Sequence, residues 1–159
     1  MKTLQINEKK ARELYKTASE ELKKMLEDTF GKDFISEKVT NRVKTYEDAC
    51  RELNKAPINE SDMRRNGFTD DEINYRKIKT ITEAINDGWK PDMMDTNQKK
   101  WFPVFLIDPS SPSGLVFDDS CYCCSDVLAT DASRLCFKSE ELAAYAGKQF
   151  LELYRNFIM

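Results

Sequence analysis

Trp101-Phe-Pro-Val-Phe-Leu-Ile107, then Asp108-Pro-Ser-Ser-Pro-Ser-Gly114, then Leu115-Val-Phe-Asp-Asp-Ser-Cys-Tyr-Cys-Cys124 is the stretch whose reading decides the fold. The first segment is aromatic, β-branched and apolar, too short and too uniform for a surface helix, so it reads as a strand. Pro103 brings no N–H to a ladder, which argues for an edge position or a place near the strand's start. The second segment is built from the residues that break regular structure and reads as a loop. Because that loop is short, Leu115 to about Cys124 returns as an antiparallel strand.

Working outward, Ser125 to Ala132 reads as another loop and Arg134-Leu-Cys-Phe137 as a third short strand. Ser139 then caps a final amphipathic helix, with Glu140 and Glu141 in its first turn. Leu142, Ala146, Phe150, Leu153 and Phe157 form its inward face, flanked by Ala143, Tyr145, Tyr154 and Ile158.

Upstream the apolar period is helical. Ala11, Leu14, Tyr15, Ala18, Leu22, Met25, Leu26 and Phe30 keep one face in steps of three and four. Asn7 caps its start and Gly31 supplies the stop; Ser19-Glu-Glu offers a second cap, so the region is one kinked helix or two short ones. Asp33 to Lys44 reads as a connection with room for a helical turn. Thr45 with Asp48 opens a helix that turns Tyr46, Ala49, Cys50 and Leu53 inward. Asn54 to Gly67 is a loop or short helical turn. Thr69-Asp-Asp-Glu72 is a capping box before a helix carrying Ile73, Ile78, Ile81, Ala84 and Ile85, which ends at Gly88 before Pro91. The expected fold is therefore α+β: a helical N-terminal half followed by a three-stranded antiparallel β-sheet with a C-terminal helix packed on it. Residues 1–95 form the helical region, with about four helices, and residues 96–159 the β-meander and final helix, one compact unit with the first.

Composition narrows the chemistry. The chain has 159 residues, 33% of them charged, and a net charge of −3. Residues 101–159 hold 4 Lys/Arg against 8 Asp/Glu, while residues 1–100 hold 21 against 20. A whole-molecule attraction to nucleic acid or anionic membrane is not expected from that balance, and only a local basic patch can supply one. No apolar run approaches the roughly 18–20 residues of a membrane span. The first residues lack the apolar core of a signal peptide, and the reading is cytoplasmic. Histidine is absent, which removes the usual general base and the commonest nitrogen ligand for metals and lowers the expectation of an enzyme.

Four patterns carry possible chemistry. Cys121 and Cys124 have the spacing of a zinc knuckle, with Cys123 and Cys136 nearby, but they lie on a strand-like run where alternation sends Cys121 and Cys123 to one face and Cys124 to the other. Reduced thiols are the preferred reading, with no metal and no cofactor. Asp108, Asp118, Asp119, Asp126 and Asp131 gather at strand ends without the spacing of a known cation loop, and turn chemistry accounts for them. Basic residues interleaved with aromatics form the third pattern: Arg64, Arg65, Arg76, Lys77, Lys79, Lys99, Lys100 and Trp101 are the candidate nucleic-acid residues. A solvated helix face with ordinary pairs, such as Glu72 with Arg76, is the competing explanation. The aromatics Trp101, Phe102, Phe105, Phe117, Tyr122 and Phe137 form either a stacking platform or the core beneath the last helix.

Arg134-Leu-Cys-Phe-Lys-Ser-Glu-Glu-Leu-Ala-Ala-Tyr-Ala-Gly-Lys-Gln-Phe150 with the following Leu-Glu-Leu-Tyr154, Val43-Lys-Thr-Tyr-Glu-Asp-Ala-Cys50, Trp89-Lys-Pro-Asp92 and Asn97-Gln-Lys-Lys-Trp101 resemble a group of small uncharacterised proteins of gut anaerobic bacteria and their phages. The resemblance implies a phage or mobile-element setting and supplies no activity, cofactor or catalytic residue. It also implies that the tract at Cys121–Cys124 accepts tyrosines in place of cysteines. The expected function is a non-enzymatic accessory or protein-interaction protein, with a protein partner or self-association; the alternative is nucleic-acid binding through the basic and aromatic residues of the helical half. Two questions pass to the tertiary structure: whether the cysteines converge, and what meets the second face of the sheet.

Overall fold

The computed structural model describes residues 6–124 and 134–159. The chain forms two compact units, Met1–Arg42 and Val43–Met159. The division falls at 42/43, so the helices between residues 46 and 85 fold with the sheet.

The first unit contains α1 (Glu8–Thr17), α2 (Glu20–Phe30), α3 (Lys32–Ser36) and α4 (Val39–Arg42). Of the two readings of its start, two helices are observed. Asn7 Oδ1 accepts from the Lys10 N–H at 2.9 Å and Ser19 Oγ from the Leu22 N–H at 3.4 Å, each satisfying a donor that a helix start leaves free. Gly31, at φ 88°, takes a backbone conformation that a Cβ would strain, and separates α2 from α3. The core is small: Ala11, Leu26 and Ile35 are buried, with Ile6, Leu14, Tyr15, Phe30 and Phe34 packed on them.

The second unit contains α5 (Tyr46–Glu52), α6 (Glu60–Arg65), α7 (Asp70–Ile85), β1 (Lys100–Ile107), β2 (Leu115–Cys123), α8 (Glu140–Gln149) and α9 (Leu151–Ile158). The capping box of α5 is complete, with Asp48 N–H to Thr45 Oγ1 at 3.1 Å and Thr45 N–H to Asp48 Oδ2 at 2.9 Å. At α7, Glu72 reaches back to the Thr69 N–H at 2.8 Å. Ile73, Ile78, Ile81, Ala84 and Ile85 are all buried, as the helical period requires. α8 lies on the β1–β2 hairpin, and α9 lies against α7. Asn86, buried at the end of α7, ties that helix to the approach to α8: its amide donates to Cys136 O at 2.8 Å and accepts from the Lys138 N–H at 3.0 Å.

Two expectations need correction. The sheet has two antiparallel strands among the described residues, not three. The expected third strand, Arg134–Phe137, is reduced to one bridge, in which Trp101 N–H donates to Phe137 O at 3.0 Å and Phe137 N–H donates to Trp101 O at 2.8 Å. Pro103 explains the stop. The next hydrogen-bonded pair of an antiparallel ladder sets Pro103 opposite Leu135, and proline has no N–H to donate to the Leu135 carbonyl. In the other direction the next residue is Ser139, already committed to capping α8 through the Leu142 N–H. The second correction concerns the final helix, which breaks at Phe150 (φ −114°, ψ 28°) into α8 and α9. Tyr154, expected at the flank, is buried and packs on the Phe105 ring. The expected loop at 125–132 lies outside the described residues apart from its neighbours.

α8 meets one face of the hairpin closely. A Cβ on Gly147 would lie 2.5 Å from the Phe117 ring and 2.8 Å from Pro103; only glycine permits this approach. Phe105 packs edge-on with Phe117, centroids 6.2 Å apart, and lies 4.9 Å from the Tyr154 ring. Asp118 is the extra residue of a bulge, since Val104 pairs with Asp119 and Phe105 with Phe117.

Candidate functional site

The candidate nucleic-acid residues separate into two groups. On α6 and α7 most of the positive charge is already matched. Arg64 pairs with Glu60 and with Asp70, each at 2.9 Å. Arg65 pairs with Asp62 at 3.1 Å. Lys77 is bound to Glu60 and sits over the Tyr46 ring, 5.6 Å from its centroid. The Glu60–Arg64 and Asp62–Arg65 pairs follow from helical geometry, because their members are one turn apart; the other two join α6 to α7. Lys77 and Arg64 together hold the Glu60 carboxyl below the usual carboxylate range. Arg76 lies over the Phe68 ring at 4.8 Å, and Lys79 is half-buried.

Arg64 and Lys77 are brought together in a cleft of about 510 Å³ between α6, α7 and α9. Arg65, Arg76, Lys79, Lys99, Lys100 and Trp101 do not line it. Its far wall carries Arg155 and Asn156 of α9, neither of which sequence reading singles out. Their only signal is a polar pair between the apolar positions of the last helix.

The second group begins β1, where adjacent lysines have opposite fates. Lys100 is 1% exposed, and its ammonium donates to the Asp95 and Gln98 carbonyls at 3.0 Å each and to Cys124 O at 3.5 Å. Carbonyl acceptors are what a buried ammonium needs; Lys100 holds the 95–98 segment over the strand and is not available to a ligand. Lys99 is exposed. Its ammonium lies 4.2 Å from the Tyr122 ring centroid and 5.7 Å from that of Trp101, and those two rings are cross-strand neighbours 4.8 Å apart.

Of the cysteines, Cys121 is exposed, Cys123 and Cys124 are half-buried, and Cys50 and Cys136 are buried. Burial pushes the Cys136 thiol up to about 11. Among the described residues no group of three or more Cys, Asp or Glu is gathered for a metal ion. Asp126 and Asp131 of the acidic pattern lie outside the described residues. Asp108 is a turn residue, accepting from the Ser110 N–H at 2.9 Å and hydroxyl at 2.6 Å, which holds its carboxyl below the usual range. Asp118 and Asp119 are exposed on β2. No helix among the described residues is long and apolar enough to cross a membrane.

The face of the hairpin turned away from α8 carries the apolar surface. Along β1 it grades from buried Lys100 through half-buried Phe102 and Val104 to Leu106. Leu106 is 54% exposed, and Val116, its partner across the ladder, 36%. Asp119, opposite Val104, and the bulged Asp118 border this surface.

No family model matches this chain, and neither a curated protein nor a solved structure is similar to it.

Proposed function

We propose that this is a protein-interaction protein with no chemistry of its own, and that it docks its partner on the outward face of the β1–β2 hairpin. One observation carries the reading: Leu106 and Val116 form an exposed apolar cross-strand pair, continuous with Phe102 and Val104 and edged by the carboxylates of Asp118 and Asp119. An exposed apolar centre with a charged rim is the usual anatomy of a docking surface. The acidic edge calls for a partner with an apolar centre flanked by Lys and Arg. A second copy of this chain is the poorer occupant, because a two-fold contact through this face sets the same acidic edge against itself. The resemblance of the sequence to small phage and gut-bacterial proteins is what suggests a mobile-element setting for such an accessory role.

A photo-crosslinking residue in place of Val116, compared with one in place of exposed Asp71, tests this in the producing cell. The expected result is an adduct specific to position 116; the identified protein, purified, then forms a binary complex that weakens with salt and is lost in Leu106→Asp. Absence of a position-specific adduct, or a complex indifferent to Leu106→Asp, refutes the reading.

Lys99, Trp101 and Tyr122 favour a second reading, nucleic-acid binding. They put an ammonium beside two aromatic rings, one of them 48% exposed, an arrangement suited to a stacked base and its phosphate. The ion-paired Arg64, Arg65 and Lys77 and the buried Lys100 weigh against it. Titration with a single-stranded oligonucleotide at low salt decides: quenching of Trp101 fluorescence that disappears with added salt supports it, and an unchanged spectrum removes it.

A further inference from the structure

We infer that the free edge of β2 pairs with the same edge of a second copy of this chain, antiparallel, about a two-fold axis at Cys121. This surface is separate from the outward face proposed above for docking, which edge pairing leaves uncovered. Trp101 turns its N–H and C=O toward Phe137, so by alternation Lys100, Phe102 and Val104 turn theirs toward β2. Their cross-strand neighbours Cys123, Cys121 and Asp119 are thereby committed to β1. The N–H and C=O of Ser120 and Tyr122 point the other way, where no strand meets them among the described residues.

The bulge at Asp118 interrupts the strand, so the regular part of this edge runs from Asp119 to Cys123 and is centred on Cys121. Set against its copy about that centre, Ser120 of each chain exchanges both of its backbone hydrogen bonds with Tyr122 of the other. The register also separates like charges. Each Asp119 lies opposite Cys123 of the other copy, and the two Asp119 residues stand about 14 Å apart along the strands, beyond the roughly 8 Å screening length of physiological salt. The acidic end of each β2 falls instead beside the end of the other strand, where exposed Lys99 stands over the Tyr122 ring. Opposite charges therefore meet on both sides of the axis. At the axis, Cys121 faces Cys121 of the other copy as a pair without mutual hydrogen bonds, Cα atoms about 4.5 Å apart, inside the span of about 4.4–6.8 Å that a disulfide bridges. Its thiol is exposed, which makes the contact chemically readable.

Sedimentation velocity of the full chain under reducing conditions is expected to show a reversible dimer that grows with concentration. Diamide, which takes up both thiol hydrogens as the S–S bond forms, is expected to trap that dimer through Cys121 alone. Cys121→Ser should prevent trapping and leave the reversible dimer. Tyr122→Pro removes an outward N–H without touching the β1 ladder and should weaken the dimer about tenfold or more. Lys99→Glu alters no backbone group and should weaken it at low salt, the effect fading as salt is added. A monomer at every concentration to the solubility limit, trapping through another cysteine, or a dimer indifferent to both Tyr122→Pro and Lys99→Glu overturns the proposal.

Discussion

On the face of the hairpin that meets α8, Pro103, Phe105 and Phe117 lie against Gly147 and Tyr154; on the other, Phe102, Val104, Leu106 and Val116 are half-buried or exposed. The two sets are alike in side-chain chemistry. The difference lies in what approaches them: a helix comes close on one side because Gly147 has no Cβ, and Tyr154 of the next helix adds its ring to Phe105. Apolar residues alternating along a strand show that both faces can be covered, not that both are. A covered face contributes to stability, whereas an open one of the same composition is available for binding.

The largest blow to the covered face is Tyr154→Ala, which removes the buried ring packed on Phe105 and should cost about 3–5 kcal/mol in urea unfolding. Gly147→Val should cost about 1–3 kcal/mol, because Phe117 and Pro103 must move to admit the new side chain. Leu106→Asp, a more drastic chemical change, should alter stability by no more than about 0.5 kcal/mol; a large loss there would show that the outward face is structural and would end the contrast.

Thiol chemistry sharpens the same contrast at still smaller energetic stakes. Cys121, exposed on the outward face, should react with a disulfide reagent at pH 8 while Cys136 stays protected until unfolding, since burial both shields it and keeps it protonated up to about 11. A thiol whose pKa is raised by folding adds stability in full below its unfolded value of about 9, and loses it as pH climbs toward 11. The unfolding midpoint should therefore fall over that alkaline window, and by less in Cys136→Ala.

Local signals were legible in the sequence and distant ones were not. Asn7, Ser19, Thr45 and Ser139 declare helix starts because a cap bonds to a residue three positions on. The hairpin is equally local, its strands joined by a short loop. The third strand failed as an expectation because Pro103 controls it from across the ladder. Tyr154 was expected at the flank because the sequence does not show that α9 also lies against α7, a contact that widens the covered face of the last turns. For the candidate sites, neighbouring Lys99 and Lys100 are indistinguishable by type, and only the fold of residues 95–98 decides which ammonium is buried. Arg64 and Lys77 were identifiable as charges, but Arg155 completes their cleft from the other end of the chain.

Pro103 has one more consequence. Exposed strand edges invite other chains to extend the sheet, and that is how ordered aggregates begin. The missing donor that ends pairing at Phe137 also confronts any foreign strand arriving at that edge, which finds a gap in the row of hydrogen bonds it would need. The exposed apolar face of the hairpin thus has, beside it, a residue that discourages fibre growth.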